Sequence, residues 1–392
     1  MCQYKKSFYL LFALIISCNI ALSQKLNITI PSESGSPYVF VLSKGLERDT
    51  IQKGTLGFAG NAVINIPSKY RNYKGMGFLQ VKDNAVPVSM IVAGEDFSME
   101  MTGKIPKFTG SKENTYLYGI LAKKESVKDP SLYANRFIDI MQYMQQQSRA
   151  LSQGISLAEK TELRQYAQNK LDMECLYTSS LWYFVIDNMV KLSDSQEALG
   201  KDVVKILSRT HSQEVFEALS GDIITITEQF GLDDAFDIIV PYIQASGRIK
   251  TPKGKMFDAF TMAKIRKGMQ APIIEGYKKQ ADIASPDKTV VIFYDPDCHN
   301  CEVQLEQLIS DYKKLKMRNI QIVSVSSSME TDEHNKDVNR FPWTNKLCDY
   351  KGFAGSNFKN YGVLGTPTIF LLDKDNKVLG RYALVSKMNL LN

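Results

Sequence analysis

Cys298, His299, Asn300 and Cys301 form a Cys-x-x-Cys directly after Phe293-Tyr294-Asp295-Pro296-Asp297. Two intervening residues let the second thiol reach back and close a disulfide with the first, so the spacing suits reversible thiol–disulfide exchange. The preceding run Thr289-Val290-Val291-Ile292-Phe293-Tyr294 is almost continuously apolar, as in a strand buried on both faces. A turn follows it, which puts Cys298 at a predicted helix start. There a thiolate faces unpaired backbone N–H groups and the positive end of the helix dipole, and both stabilise negative sulfur. Half of a zinc site shares the spacing. Against zinc, the chain has no second Cys-x-x-Cys or Cys/His pair, and its three histidines, His211, His299 and His334, are not spaced as ligands. The expectation is redox chemistry with no metal and no cofactor.

The elements that must hold this pair follow in order. Val303, Leu305, Leu308, Ile309, Tyr312 and Leu315 recur at helical spacing, and Ile320 to Val325 reads as a second strand, so strand, helix and strand make a βαβ unit with a parallel pair. Further on, Tyr361-Gly362-Val363-Leu364-Gly365-Thr366-Pro367 leads into the apolar run Thr368 to Leu372. Proline cannot donate to a sheet ladder, so Pro367 belongs at the strand start. Asp373-Lys374-Asp375-Asn376 is a turn, and Lys377 to Tyr382 pairs back as a hairpin.

From about Gly268 onward the chain resembles the thioredoxin superfamily, specifically its envelope branch of TlpA-like reductases and the related peroxiredoxin-like (AhpC/TSA) domains. The resemblance rests on Gly268-Met269-Gln270-Ala271-Pro272 as the lead-in, the strand into Cys298-His299-Asn300-Cys301, and Gly365-Thr366-Pro367-Thr368, in that order. It implies an α/β thioredoxin fold over residues 263–392. It also implies Cys298 as the attacking cysteine, Cys301 as the resolving one, Pro367 as a cis-proline beside the pair, and the Thr366 backbone as the place where an extended substrate docks. His299 and Asn300 are expected to face the substrate. A charged His299 would stabilise the Cys298 thiolate while Asp295 and Asp297 oppose it; solvated surface residues are the plainer reading of both. The sequence departs from the family pattern in two places. Asp297 stands where a tryptophan commonly precedes the first cysteine, and Gln304 where a glutamate relays protons. Proton transfer then falls to water, Asp295, Asp297 or Glu302. Asp295 also occupies the threonine position of a peroxidatic Thr-x-x-Cys, which disfavours a peroxiredoxin.

The chain has 392 residues, enough for two or three domains. Its net charge of +6 is modest and no basic run is interleaved with aromatics, so no nucleic-acid partner is expected. Residues 1–23 read as a signal peptide: Lys5-Lys6, an apolar stretch from Phe8 to Ile16, and Ala21-Leu22-Ser23 before Gln24. Within it Ile15-Ile16-Ser17-Cys18 resembles a lipoprotein signal, which would anchor the protein through Cys18. Plain cleavage is preferred, because a strand begins so soon afterwards. Either route puts the protein in the periplasm or cell envelope, outside the reducing cytosol. Cys175 and Cys348 then read as packing thiols.

Residues 24–110 read as an all-β sandwich or open barrel, with strands at Leu26 to Ile30, Tyr38 to Leu42, Ala62 to Ile66, Gly77 to Val81, Val88 to Val92 and Phe97 to Met101. Residues 111–262 read as an all-α middle domain. In it Tyr133, Phe137, Met141, Met144 and Leu151 share a face, and Gln145-Gln146-Gln147 take solvent positions. A short helix from Phe257 to Ile265 is expected to lead into the last domain. The functional expectation is an exported thiol:disulfide oxidoreductase working through a mixed disulfide, in the reductase direction by analogy. Its partners would be disulfide-containing envelope proteins and a membrane thiol donor. The alternatives are an envelope binding or scaffold protein with an accessory thioredoxin domain, and a thiol peroxidase.

Overall fold

The computed structural model describes residues 24–82, 86–122, 128–278 and 285–391; the expected leader, and with it Cys18, lies outside them. The described residues form two compact units, the first ending at Leu192 and the second beginning at Ser193.

The first unit opens with eight strands: β1 (Gln24–Thr29), β2 (Pro37–Lys44), β3 (Glu47–Thr55), β4 (Asn61–Ile66), β5 (Gly75–Val81), β6 (Val88–Val92), β7 (Phe97–Glu100) and β8 (Lys107–Thr109). They make two four-stranded sheets, in the orders β4-β1-β7-β8 and β3-β2-β5-β6. Strict alternation explains the packing: in β1, Leu26 and Ile28 turn inward while Lys25 and Asn27 face out. Leu26 and Ile28 from one sheet meet Phe40, Leu79 and Met90 from the other in one core, so the N-terminal part is a sandwich as expected. Two strands escaped the sequence pattern. In β3 no side chain is fully buried, so it carries no period-two signal, and β8 has only three residues.

Five helices complete this unit: α1 (Lys112–Leu121), α2 (Tyr133–Gln153), α3 (Leu157–Asn169), α4 (Met173–Tyr177) and α5 (Trp182–Lys191). A capping box between Ser156 and Glu159 starts α3. The buried face of α2 is Tyr133, Phe137, Ile140, Tyr143, Gln147 and Ala150. Gln147 is thus inside rather than on solvent, donating through Nε2 to the Tyr143 hydroxyl (3.2 Å) and the Val185 carbonyl (3.3 Å). Leu151, expected on the apolar face, is exposed. The glutamine run hid a core position because residue type alone carries no sign of a buried hydrogen bond.

The second unit begins with α6 (Gln196–Arg209), α7 (Gln213–Gln229), α8 (Asp233–Ala245) and α9 (Lys255–Met262). The side chains of Ser195 and Ser212 cap α6 and α7. The rest alternates: β9 (Lys288–Tyr294), α10 (His299–Met317), β10 (Ile320–Ser326), α11 (Thr331–Val338), β11 (Asn345–Leu347), α12 (Ser356–Asn360), β12 (Thr368–Asp373) and β13 (Val378–Tyr382). The sheet order is β11-β10-β9-β12-β13. β9 and β10 are parallel, and β12 runs antiparallel to both β9 and β13. Successive residues of β9 feed two different cores: Val290, Ile292 and Tyr294 pack towards α10, and Val291 and Phe293 towards Phe358, Tyr361 and Phe370. This is why its sequence is apolar without alternation. Val303, expected on the apolar face of α10, is exposed instead. The lead-in residues tie onto β13, with Gly268 N–H donating to Val378 O (2.7 Å) and Val378 N–H to Met269 O (2.9 Å). Among the described residues no helix is long and apolar enough to cross a membrane.

Candidate functional site

β9 delivers the chain at Tyr294 into a tight turn, and Cys298 is the N-cap of α10. Asp295 builds that turn. Its carbonyl accepts from Cys298 N–H (3.1 Å), its Oδ1 from Asp297 N–H (3.0 Å) and its Oδ2 from the Ser327 hydroxyl (2.6 Å). The carboxylate is therefore bound on both oxygens, and its evident work is to hold the turn.

Cys298 Sγ accepts from Cys301 N–H at 3.2 Å and lies 3.7 Å from the Thr366 carbonyl oxygen. The Thr366–Pro367 bond is cis. Cys298, Cys301 and Thr366 thus come together although 65 residues separate the second cysteine from the threonine in the chain, with Pro367 next in line. Both cysteines are free thiols. Cys298 is half-buried, whereas Cys301 is fully buried. Burial pushes the Cys301 thiol up to about 12, and the neighbouring Cys298 adds to the effect. An accessible sulfur at a helix start, backed by a buried protonated one, has the geometry of an attacking and a resolving thiol. His299 and Asn300 are exposed on the first turn of α10.

Two residues near the pair have partners that the sequence did not show. Gln304 is buried, and its Oε1 accepts from Val385 N–H at 2.8 Å. Glu302 is gripped by Arg340, and this hydrogen-bonded guanidinium holds its carboxyl below the usual range. Arg340 and Ser327 were not found from sequence. Each lies far along the chain from its carboxylate partner, and neither belongs to a motif.

A cleft of about 490 Å³ opens beside Pro367. One wall is Pro367, Thr368 and β13 on to Ala383; the other includes Phe236 and Asp237 of α8 and Arg266. Burial pushes Asp237 up to about 6, against the pull of Arg266. Elsewhere, Cys348 is half-buried with Sγ 3.3 Å from Ser328 O, and Cys175 is buried. No group of three or more His, Cys, Asp or Glu side chains is placed to hold a metal among the described residues.

Residues 278–390 match the family described as Thioredoxin-like domain, so the C-terminal part of the chain is a thioredoxin-like domain. The thiol-disulfide oxidoreductase ResA of Bacillus thuringiensis subsp. konkukian is 33% identical over 88 residues, which are 22% of this chain and 49% of that protein. ResA of Bacillus cereus matches to the same extent. The chain thus spans about half the length of the curated relatives it matches. Among solved structures, a thioredoxin-like protein from Bacteroides caccae aligns with a TM-score of 0.41 at 16% identity, over 59% of this chain and 91% of that one. A thiol-disulfide oxidoreductase from Bacteroides fragilis aligns with a TM-score of 0.26 at 21% identity, over 30% of this chain and 89% of that one.

Proposed function

We propose that the protein is a thiol:disulfide oxidoreductase of the TlpA-like kind, exported to the cell envelope and acting as a reductase. The observation that carries the reading is the N-cap placement of Cys298, with its sulfur accepting from Cys301 N–H and standing 3.7 Å from Thr366 O beside the cis bond to Pro367.

In the proposed cycle the Cys298 thiolate attacks one sulfur of a substrate disulfide. The substrate S–S bond breaks, a mixed disulfide forms, and the leaving thiolate takes up a proton. Cys301 then gives up its proton and attacks Cys298 Sγ. Reduced substrate leaves, and the protein keeps a Cys298–Cys301 disulfide. The substrate gains two electrons and two protons, and the protein loses them. The high position of Cys301 suits this order, because a buried protonated thiol does not compete with Cys298 for the first attack. The substrate segment lies extended against the Thr366 backbone and runs into the cleft beside Pro367, with His299 and Asn300 at its edge. A thiol donor at the membrane restores the dithiol. Residues 1–23 direct export, with lipid attachment at Cys18 as the alternative; mass spectrometry of the mature N-terminus separates the two.

The decisive experiment is insulin reduction by the whole chain beside a peroxide-consumption assay. Turnover of insulin, lost in Cys298→Ser and replaced by trapped substrate adducts in Cys301→Ser, is the expected result. Peroxide consumption without insulin reduction would replace this reading with a peroxidase, and neither activity would leave a binding role.

A further inference from the structure

We propose that Arg340 sets the redox poise of the Cys298–Cys301 pair by masking the carboxylates on the first turns of α10; the proposal rests on the redox reading above. Arg340 stands between α11 and β11. Its Nη1 donates to Glu302 Oε1 and, at 2.8 Å, to Glu306 Oε1, while its Nη2 donates to Glu302 Oε2 at 2.5 Å. Glu302 and Glu306 are one turn apart on the same helical face. Glu302 is also one turn on from Cys298, and its N–H donates to Cys298 O at 3.0 Å. The ion pair is therefore built on the two turns of α10 that follow the attacking sulfur.

The cation is also held from behind. Its guanidinium lies 5.4 Å from the centroid of the Phe341 ring. Phe341 stacks on Trp343 at 4.8 Å and meets Tyr294 edge-on at 5.7 Å. Tyr294 is the last residue of the strand that leads to the cysteines. A row of packed aromatic rings thus fixes where the positive charge sits. The charged and titratable groups on this end of α10 and its turn are Asp295, Asp297, His299, Glu302 and Glu306, and Arg340 is the cation that binds two of them.

The sign follows from the exchange reaction. Protein disulfide and two glutathione thiols give two protein thiols and glutathione disulfide, two electrons and two protons passing to the protein. Only the reduced protein can carry negative charge on Cys298. Nearby negative charge therefore favours the disulfide, and positive charge favours the dithiol. Without Arg340, Glu302 and Glu306, on the two turns that follow Cys298, lose the guanidinium that neutralises them, and the pair becomes more reducing.

The test equilibrates the whole chain with glutathione buffers at pH 7 and low salt, and reads the oxidised fraction by thiol alkylation and mass. Arg340→Gln should make reduction of the pair about three- to fivefold less favourable, the scale of a partly exposed ion pair; fivefold is roughly 20 mV for a two-electron couple. Glu302→Gln should move it the opposite way, and the double variant should fall between Arg340→Gln and wild type. Arg340→Lys keeps the charge and should stay within about twofold of wild type. A clamp that only held the helix in place would behave differently: Arg340→Gln and Glu302→Gln break the same link and would shift the poise together. That result, or an unmoved poise in both, overturns the proposal. Should Arg340→Gln not fold, the sign of the Glu302→Gln shift still decides. A wild-type chain that exchanges with no glutathione at all would instead strike at the redox reading itself.

Discussion

Two buried cysteines, one in each compact unit, make an instructive pair. Cys175 sits on α4, 2% exposed, with its N–H on Asp172 Oδ1 (2.9 Å) and its carbonyl accepting from the Tyr133 hydroxyl (3.2 Å). Cys301 sits on α10, fully buried, with its N–H on Cys298 Sγ (3.2 Å). Burial pushes both thiols up to about 12. By depth and by proton affinity they are alike. The difference is the neighbour: Cys175 is enclosed by tyrosine and backbone, whereas Cys301 stands one turn behind a half-buried sulfur at a helix start. On the proposed mechanism, a buried thiol becomes a reagent only when a second, accessible thiol can bring a disulfide to it.

The largest expected effect breaks that comparison at its centre. Cys298→Ser should drop insulin reduction to background and Cys301→Ser should accumulate mixed disulfides, while Cys175→Ser keeps wild-type turnover and loses only about 1–3 kcal/mol of stability for its buried hydroxyl. Slow turnover in Cys175→Ser at full folding would make the two cysteines functional equals, and the contrast would fail.

The next effect compares the two units through their largest buried side chains. Trp182 is fully buried in the first, and Trp343, with Nε1–H on Ser324 Oγ at 2.9 Å, in the second. Either change to alanine should cost about 3–5 kcal/mol. Calorimetry should show Trp182→Ala lowering the transition of the first unit and Trp343→Ala that of the second. Only Trp343→Ala should slow insulin reduction, since it undermines the stack beneath Tyr294. Equal loss of activity in both would show that the units are not separable in function.

A smaller effect is shared by both thiols. Under reducing conditions each stays protonated in the folded protein up to about 12, whereas an unfolded thiol ionises near 8.5. Above about pH 8.5 the unfolded chain therefore holds fewer protons, and stability falls as pH rises towards 12; below that window the contribution is complete. Urea midpoints at pH 8 and about 10.5 should show the fall, and Cys175→Ala and Cys301→Ala should each flatten it. A profile unchanged by both would contradict the burial of these thiols. The smallest effect concerns the cleft. Ala383 is exposed at the Pro367 end, so Ala383→Trp should slow insulin reduction severalfold while sparing a small aromatic disulfide. Equal slowing of both substrates would take the substrate segment out of the cleft.

Much of the reactive half could be read in advance because its signals are local. The Cys-x-x-Cys follows a doubly buried strand, and Pro367 precedes another, so the residues that converge on Cys298 announce themselves by type. What stayed hidden depends on distant partners. Asp295 and Glu302 stood among the options for proton transfer, but nothing near either in the sequence shows that Ser327 and the turn bind one carboxylate and Arg340 the other. In the first unit β3 was invisible because it buries almost nothing, and Gln147 misled because polar residues are mostly exposed. The helical stretch was recognised as helical, but the division between α5 and α6 has no sequence mark: both sides are amphipathic, and only packing decides which neighbours a helix joins.

Gln304 has one further consequence. Its side chain spans from the helix of the cysteines to the backbone N–H of Val385, a buried residue near the end of the chain. On the proposed mechanism, closing the disulfide adjusts the first turns of α10, and Gln304 begins the turn after Cys301. The Val385 amide therefore serves as an internal reporter. Its nuclear magnetic resonance shift and its protection from deuterium exchange should change between dithiol and disulfide forms, so the state of the sulfurs can be followed in real time without a dye, a label or a substrate.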